Sequence, residues 1–160
     1  MKAYLGLGSN RGDRRKLLAD AVIALGDRGV KIVRESSVYE TQPVGGPPKQ
    51  QWFYNQVIEV EFDGRLRALF GICQRVERLL GRDHSREVQW GPRPIDIDLL
   101  LADEASDDPD LRVPHPRAHE RRFVLEPLAE LSPDLEIPGH GGVLQLLRAL
   151  PGEPAVRVAP

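Results

Sequence analysis

The sequence is poor in cysteine, with Cys73 as its one thiol among 160 residues. A single cysteine excludes an intramolecular disulfide framework and a cysteine-based zinc site, and it fits a reducing compartment. Long hydrophobic runs are also lacking, because charged residues interrupt each apolar stretch before it could cross a bilayer. The segment 1–9 is too short for the core of a signal peptide. These absences predict a cytoplasmic protein without a membrane partner.

A large excess of either charge is also lacking. The sequence has 22 Lys and Arg and 24 Asp and Glu, for a net charge of −2. A chain without a bulk positive field is a poor candidate for nucleic-acid binding. Hydrophobic residues make up 41% and charged residues 29%, which is typical of a globular protein. The length fits one domain. We therefore expect residues 1–160 to form a single domain that acts as a monomer on small molecules.

A common nucleotide-binding motif is missing as well. The sequence contains no G-x-x-x-x-G-K-[ST], which excludes a P-loop. The glycines at 6, 8 and 12 follow G-x-G-x-x-x-G, one residue away from the dinucleotide-binding fingerprint. We interpret them as a tight turn from a strand into a helix that permits close approach of the backbone.

Hydrophobic periodicity predicts the order strand, helix, strand, strand, helix, strand. Asp13 is the expected N-cap of the first helix. This order is typical of the ferredoxin-like split βαβ arrangement, an α+β fold with one mainly antiparallel sheet and helices packed on it. The four strands are expected at residues 2–8, 30–41, 53–62 and 95–102, and the helices at about 14–25 and 66–80.

Proline is frequent beyond Asp103, and its positions there include 109, 114, 116, 127, 133 and 138. This Pro-rich C-terminal extension is expected to form short helices at 117–121, 124–131 and 143–150. It has too little apolar content for a core of its own, so we assign it to the same domain.

The sharpest chemical feature is the run from Ile95 to Leu100, which reads Ile-Asp-Ile-Asp-Leu-Leu. In a strand, Asp96 and Asp98 face the same way, ~6.6 Å apart, while Ile95, Ile97, Leu99 and Leu101 face the core. Two neighbouring carboxylates on an apolar strand repel each other unless a cation joins them. Oxygen ligands that act together with substrate phosphates suit Mg²⁺. The alternative is a solvated strand face.

Basic residues flank this pair on both sides. Arg82, Arg86 and Arg93 precede it, and His115, Arg117, His119, Arg121 and Arg122 follow it. Metal-binding carboxylates ringed by arginines suit phosphoryl transfer, which depends on positioning and on neutralising charge. The alternative for each of these side chains is simple solvation, and His84 and His119 are weak candidates.

Several motifs together resemble one family. They are Leu-Gly-Ser-Asn at 7–10, Tyr-Glu-Thr-Gln-Pro-Val-Gly at 39–45, Phe-Tyr-Asn at 53–55, Trp-Gly-Pro-Arg-Pro-Ile-Asp-Ile-Asp-Leu-Leu at 90–100, Val-Pro-His-Pro at 113–116 and Arg-Arg-Phe at 121–123. The chain resembles the 6-hydroxymethyl-7,8-dihydropterin pyrophosphokinases of folate biosynthesis over about residues 2–150.

The resemblance implies ATP-dependent transfer of pyrophosphate to the hydroxymethyl oxygen of the pterin, with release of AMP. By this resemblance, Asp96 and Asp98 hold two Mg²⁺ ions, and Arg82 and Arg93 act with them in catalysis. ATP would contact Gln74, Glu77, Arg82, Arg86, Arg93, His115 and Arg121. The pterin would contact Thr41, Pro43, Val44, Phe53, Asn55, Trp90 and Phe123. The acceptor of the alcohol proton stays open between Asp98 and solvent base.

The alternation in residues 53–62 bears on the pterin residues. Tyr54, Ile58, Val60 and Phe62 share one face, which we expect to be core, and Phe53 shares the other face with Asn55, Val57 and Glu59. An asparagine amide offers the donor and the acceptor that the pyrimidine edge of a pterin requires.

Two other function classes fit parts of the pattern. A two-metal phosphodiesterase also needs paired aspartates, but further metal-binding His or Asp residues in other strands are not evident. A ferredoxin-like regulatory module that binds small molecules would explain the fold and leave the Asp pair unexplained.

Overall fold

The computed structural model describes residues 1–43, 45–83, 85, 91–152 and 156–160. Its centre is a six-stranded sheet in which every pairing is antiparallel. Its strands are β1 (Lys2–Ser9), β2 (Val30–Glu35), β3 (Tyr39–Thr41), β4 (Phe53–Phe62), β5 (Asp96–Ala102) and β10 (Val156–Val158). Their order is β10–β3–β4–β1–β5, and β2 is paired to β4 beside β3.

Helices lie on both faces of this sheet. The Asp13 carboxylate accepts a hydrogen bond from the Lys16 amide, which confirms the predicted N-cap of the first helix. The predicted mixture of helices with a mainly antiparallel sheet is confirmed. The helices are α1 (Arg14–Gly26), α2 (Leu66–Leu79), α3 (Arg122–Leu131) and α4 (Val143–Ala149), with a 3₁₀ turn at Ala118–Glu120.

Two hydrophobic clusters cover the two faces of the sheet. The first joins α1 and α2 to the face that carries Tyr54, Ile58 and Val60, as the alternation predicts. The second joins α3 and α4 to the opposite face, to which Val57 belongs. The segment after β5 therefore covers a face of the central sheet that would otherwise be open to solvent.

A bulge in β5 corrects one expectation. Tyr4 of β1 pairs with Leu101, and Leu5 pairs with Leu99, so Leu100 has no partner in the register. Leu100 and Leu101 consequently both pack in the second cluster. The expectation that Leu101 shares a face with Ile95, Ile97 and Leu99 is therefore wrong, since the bulge reverses the alternation at this point.

The expected strand at 30–41 is two strands, separated at residues 36–38. Ser36 at the break donates its amide to the Val57 carbonyl, and its hydroxyl accepts from the Val57 amide. Three structural features beyond β5 were not predicted: strand β10 and the hairpins β6 (Ser106–Asp108)–β7 (Leu111–Val113) and β8 (Glu136–Ile137)–β9 (Gly141–Gly142). No helix in the described residues is long and apolar enough to cross a membrane.

Candidate active site

A cavity of about 360 Å³ opens at the ends of β3, β4 and β5, beside the start of α3. A second cavity of about 30 Å³ shares part of its wall and reaches the backbone of β1. The two cavities have Phe53, Asn55, Asp96 and Phe123 in common. They therefore form one continuous site over the face of the sheet that the second hydrophobic cluster partly covers.

The register of three strands explains why these side chains meet. Gly8 of β1 pairs with Asn55 of β4 on one side and with Asp96 of β5 on the other. A Cβ atom at Gly8 would lie 2.8 Å from the Asn55 Oδ1 atom. The missing side chain at Gly8 thus leaves room between the Asn55 amide and the Asp96 carboxylate, in agreement with the expected close approach of the backbone. The expected tight turn is wrong for Gly6 and Gly8, which lie inside β1, while Gly12, with a φ of 79°, lies between β1 and α1.

The Asp96 carboxylate is held by two arginines. Arg82 donates from Nη1 to Asp96 Oδ1 at 2.6 Å, and Arg93 donates from Nη1 to Asp96 Oδ2 at 3.2 Å. The same Arg82 nitrogen lies 2.6 Å from Glu77 Oε2. Glu77 also accepts a hydrogen bond from the Ile97 amide at 2.9 Å, so α2 is tied directly to β5. These contacts orient the Asp96 side chain toward the cavity.

Asp98 lines the small cavity together with Asp96, as expected for positions two apart on a strand. In the described part of the chain, no side chain or amide donates a hydrogen bond to its carboxylate. Burial raises the pKa of Asp98, and the neighbouring Asp96 charge raises it further, while the Arg121 charge opposes them. A carboxylate in this setting gains from a cation placed against it.

Burial also raises the pKa of the Glu77 carboxyl. The Ile97 amide and the Arg82 guanidinium act against this rise by favouring the charged form. The face of α2 that meets β5 therefore brings a third acidic group to the edge of the site.

Polar groups on β3 and β4 form the other side of the cavity. Asn55 donates from Nδ2 to Thr41 Oγ1 at 2.7 Å, and both residues are buried. This bond fixes the orientation of the amide and leaves Asn55 Oδ1 as an acceptor next to Gly8. Phe53 lines both cavities from β4, and Phe123 lines both from the start of α3. An aromatic ring would therefore meet apolar and hydrogen-bonding groups together.

Basic side chains border the larger cavity, although His115, an expected ATP contact, lines neither cavity. Arg121 lies with its guanidinium carbon 5.4 Å from the centre of the Phe123 ring, and it also lines the larger cavity. Burial lowers the pKa of His115, and the charges of Arg121 and Arg117 lower it further. The His115 Nδ1 atom accepts from the Arg117 amide at 3.1 Å, so the ring proton of the neutral imidazole is placed on Nε2. His115 can therefore donate one hydrogen bond from Nε2.

Not every expected site residue joins this cluster. Gln74 is exposed on α2, one turn before Glu77, and lines neither cavity. Pro43 is half-buried and also lines neither cavity. Val44, Arg86 and Trp90 lie outside the described residues, as does His84. The assignments of Gln74 and Pro43 therefore stay predictions without a contact in the described chain.

Asn10, the last residue of the Leu-Gly-Ser-Asn motif, has a structural role that the sequence does not predict. It is 1% exposed, and its backbone N–H donates to the Arg93 carbonyl at 3.1 Å. Its Oδ1 accepts from the Arg93 amide at 2.7 Å, and its Nδ2 donates to Gln50 Oε1 at 3.1 Å. Asn10 thus holds the backbone of Arg93 in place. The available sequence signal was a polar residue directly after a buried strand.

No group of three or more His, Cys, Asp or Glu side chains suited to a metal occurs among the described residues. The two aspartates that line the small cavity suit an ion that completes its coordination with substrate oxygens and water.

Residues 4–133 match the family model for 7,8-dihydro-6-hydroxymethylpterin-pyrophosphokinase (HPPK). Proteins named 2-amino-4-hydroxy-6-hydroxymethyldihydropteridine pyrophosphokinase are similar in sequence to this chain over most of their length. The one from Methylorubrum extorquens is 44% identical over 141 residues, covering 87% of each chain. The one from Bacillus subtilis is 44% identical over 136 residues, covering 84% of this chain and 80% of the relative. The one from Pseudomonas aeruginosa is 36% identical over 155 residues, covering 95% of this chain and 93% of the relative.

Solved structures share the fold at low sequence identity. An HPPK-DHPS chain in complex with substrates superimposes with a TM-score of 0.68 at 12% identity, covering 92% of this chain and 42% of its own. A Plasmodium falciparum HPPK-DHPS chain superimposes with a TM-score of 0.67 at 13% identity, covering 92% of this chain and 45% of its own. The present chain therefore spans less than half the length of these larger proteins.

Proposed function

The chain belongs to the 7,8-dihydro-6-hydroxymethylpterin-pyrophosphokinase family, and we propose that the cavity over β3, β4 and β5 is where it carries out this chemistry. The reaction transfers a pyrophosphoryl group from ATP to the hydroxymethyl oxygen of 6-hydroxymethyl-7,8-dihydropterin, in folate biosynthesis. The observation that carries the assignment is the placement of Asp96 and Asp98 in one cavity with Asn55. One end of the site then suits phosphates and the other suits a heteroaromatic ring.

Asp96 and Asp98 are the proposed ligands for two Mg²⁺ ions. Their fit is supported by the chemistry of the donors, since both are hard oxygen ligands and Asp98 has no hydrogen-bond donor among the described groups. Bound Mg²⁺ would neutralise charge on the triphosphate and hold its oxygens in register. Arg82 and Arg93 would keep the Asp96 carboxylate aimed at this position, because both donate to it.

The basic side chains are proposed to bind the triphosphate. Arg121 borders the larger cavity, and His115 can donate from Nε2 without adding a positive charge. Asn10 holds the backbone of Arg93, and the bond from Arg93 Nη1 to Asp96 Oδ2 gives its guanidinium a defined position. Such preorganised donors stabilise the charge that develops during transfer without rearranging during the reaction.

The proposed bond changes are those of pyrophosphoryl transfer. The alcohol oxygen of the pterin attacks the β-phosphorus in line, and the bond from that phosphorus to the oxygen bridging the α- and β-phosphates breaks. AMP leaves with that oxygen, and the alcohol proton is released to Asp98 or to solvent base. Holding both reactants in one cavity makes this step effectively unimolecular.

Asn55, Thr41 and the two phenylalanines are proposed to bind the pterin. The Asn55 Oδ1 acceptor would meet an N–H group on the pyrimidine edge, since its Nδ2 is engaged by Thr41. Phe53 and Phe123 would contact the ring faces from β4 and α3. Gly8 would leave room for the ring edge beside Asn55.

The finer description of the fold is also a proposal. The order β5–β1–β4–β2, with α1 and α2 packed on one face, supports a ferredoxin-like split βαβ core. The packing of α3 and α4 on the other face supports one domain that includes the C-terminal extension.

Purified protein with ATP, Mg²⁺ and the reduced pterin alcohol tests the reaction directly. We expect AMP and the pterin diphosphate in equal amounts, measured by ion-exchange chromatography and phosphorus NMR. ADP as the only nucleotide product would indicate an ordinary kinase. Folded protein that binds the pterin without turnover would instead favour a regulatory binding module.

A further inference from the structure

The C-terminal end of the chain contributes to the larger cavity. Leu150 and Pro151, just after α4, line it together with Val156 at the start of β10. All three side chains are aliphatic, and Thr41, Asn55 and Phe123 line the same cavity. We call Leu150, Pro151 and Val156 the C-terminal wall. It lies beyond residue 133, where the match to the family model ends.

Strand pairing holds one end of this wall. Val156 pairs with Thr41, and Val158 pairs with Tyr39, in the antiparallel ladder of β10 and β3. The Ala159 amide donates to the Val38 carbonyl at 2.8 Å, which extends the ladder by one bond. Val156 therefore lies beside the residue that orients the Asn55 amide.

An ion pair on the other side of β10 strengthens the same attachment. Arg157 donates from Nη2 to Glu40 Oε1 at 2.9 Å, and its guanidinium carbon lies 5.5 Å from the centre of the Trp52 ring. Because strand side chains alternate, Arg157 points away from the side on which Val156 lies. The pair thus anchors β10 without occupying the cavity wall.

Arg122 holds the other end of the wall. Its Nη2 atom donates to the Pro151 carbonyl at 2.7 Å and to the Leu150 carbonyl at 3.4 Å. Its Nη1 atom donates to Glu126 Oε1 at 3.1 Å, which orients the guanidinium along α3. Arg122 is adjacent in sequence to Phe123, so the residue that fixes the wall also begins the helix that carries a proposed pterin contact.

We propose that the C-terminal wall is a determinant of pterin affinity and that Arg122, which also lines the cavity itself, is a positioning residue for it. This inference rests on the proposed function of the site. Val156 beside Thr41 would contact the pterin ring near its hydrogen-bonded edge, and Leu150 and Pro151 would cover the ring near Phe123. Apolar cover over this part of the cavity excludes water that would compete for the Thr41–Asn55 pair.

Val156→Ala tests the wall, with Val158→Ala as the matched control. Val158 is in the same strand but is 60% exposed and does not line the cavity. Loss of the Val156 methyl groups should raise the Kd of the pterin alcohol about threefold to tenfold. The Kd of a non-hydrolysable ATP analogue with Mg²⁺ and kcat at saturating pterin should change by less than about twofold. Isothermal titration gives both Kd values.

Arg122→Ala and Arg122→Lys test the attachment. Alanine removes the bonds to both carbonyls, so we expect a pterin Kd raised by about as much as in Val156→Ala. Lysine can still donate to one carbonyl and should recover part of the affinity. A residue needed only for stability would lower the melting temperature in both variants and leave the ratio of pterin to nucleotide affinity unchanged, which would overturn the positioning role.

The outcomes separate the wall from the reaction. If the unmodified protein forms AMP and Val156→Ala binds pterin like Val158→Ala, the wall proposal is wrong and the reaction stands. If the unmodified protein binds pterin but forms no AMP, the proposed function fails, while a selective loss of pterin affinity in Val156→Ala still supports the wall.

Discussion

Gly8 and Asn55 are paired across β1 and β4 so closely that a Cβ atom on Gly8 would lie 2.8 Å from the Asn55 Oδ1 atom. The contact is too short for a side chain to be added without displacement of the amide. Asn55 is held from its other side by Thr41, at 2.7 Å. The glycine therefore determines where the acceptor of the proposed pterin site can be.

We expect Gly8→Ala to weaken pterin binding about tenfold or more, because the amide must rotate and give up either the Thr41 bond or its place in the cavity. The nucleotide Kd should change much less. Gly26→Ala is the control, since nothing lies within 4 Å of a Cβ atom there. Equal pterin affinity in Gly8→Ala and the unmodified protein, measured by titration calorimetry, would contradict this role of Gly8.

Asp98→Asn should separate activity from stability. A neutral amide of the same shape removes the charge that burial and Asp96 disfavour, so the free energy of unfolding should stay equal or rise. Turnover should fall by about a hundredfold or more, because a ligand for Mg²⁺ is lost. AMP formation and urea unfolding measure the two effects, and Asp107→Asn, at an exposed position in β6, is the control.

A different balance is expected for Asp96→Asn. The Asp96 carboxylate accepts from both Arg82 and Arg93, so its neutralisation removes two charged hydrogen bonds. We expect activity to fall as in Asp98→Asn and the free energy of unfolding to fall by about 1.5–3 kcal/mol. If the two variants had the same stability, the contrast between a paired and an unpaired carboxylate would be wrong.

The acidic pair could be predicted from the sequence because strand alternation depends only on local geometry. Asp96 and Asp98 share the cavity for this reason, and Phe53 and Asn55 share it for the same reason. Leu101 could not be predicted, since its side depends on a bulge set by the pairing of β5 with Tyr4 and Leu5. A bulge is a property of two strands together and has no signature in one of them.

The C-terminal wall could not be predicted from the sequence either. The segment Val156–Val158 is only three residues long, too short for a periodic pattern, and it becomes a strand because the edge of β3 is available. Asn10 and Arg122 act through contacts with residues far away in sequence, Arg93 and Pro151. Motif spacing within a single segment carries no information about such partners.

Glu77→Gln should weaken the link between α2 and β5. The amide oxygen can still accept from Ile97, but the charged contact with Arg82 is lost. We expect turnover to decrease, because Arg82 then orients Asp96 less firmly, and the free energy of unfolding to change by less than about 1 kcal/mol, because burial disfavours the charge that is removed. Arg75→Ala, at an exposed position on the same helix, should change neither quantity appreciably. Unfolding curves in urea and initial rates of AMP formation measure both.

The buried carboxyl of Glu59, outside the proposed active site, is expected to make the stability of the protein depend on pH. Its side chain is almost fully buried and lies 2.6 Å from Arg34 Nε and 3.0 Å from Lys2 Nζ. Burial alone would raise the pKa of this carboxyl, but the hydrogen bonds from Arg34 and Lys2 outweigh it and hold the pKa below the ordinary value of 4.5. The charged form is thus favoured by folding.

A carboxyl with a lowered pKa in the folded state stabilises the protein above its unfolded pKa and loses this contribution as the pH falls through the folded value. Glu59→Gln should therefore be less stable than the unmodified protein at pH 7, by about 1.5–3 kcal/mol. The difference should shrink as the pH is lowered below 4.5, the ordinary value for this carboxyl. Glu61→Gln, at an exposed pair with a 3.7 Å separation from Lys31, should cost less than about 1 kcal/mol at pH 7. Urea unfolding between pH 3 and 7 measures these differences, and a Glu59→Gln deficit that stayed constant down to pH 3 would mean that packing, and not charge, makes this residue stabilising.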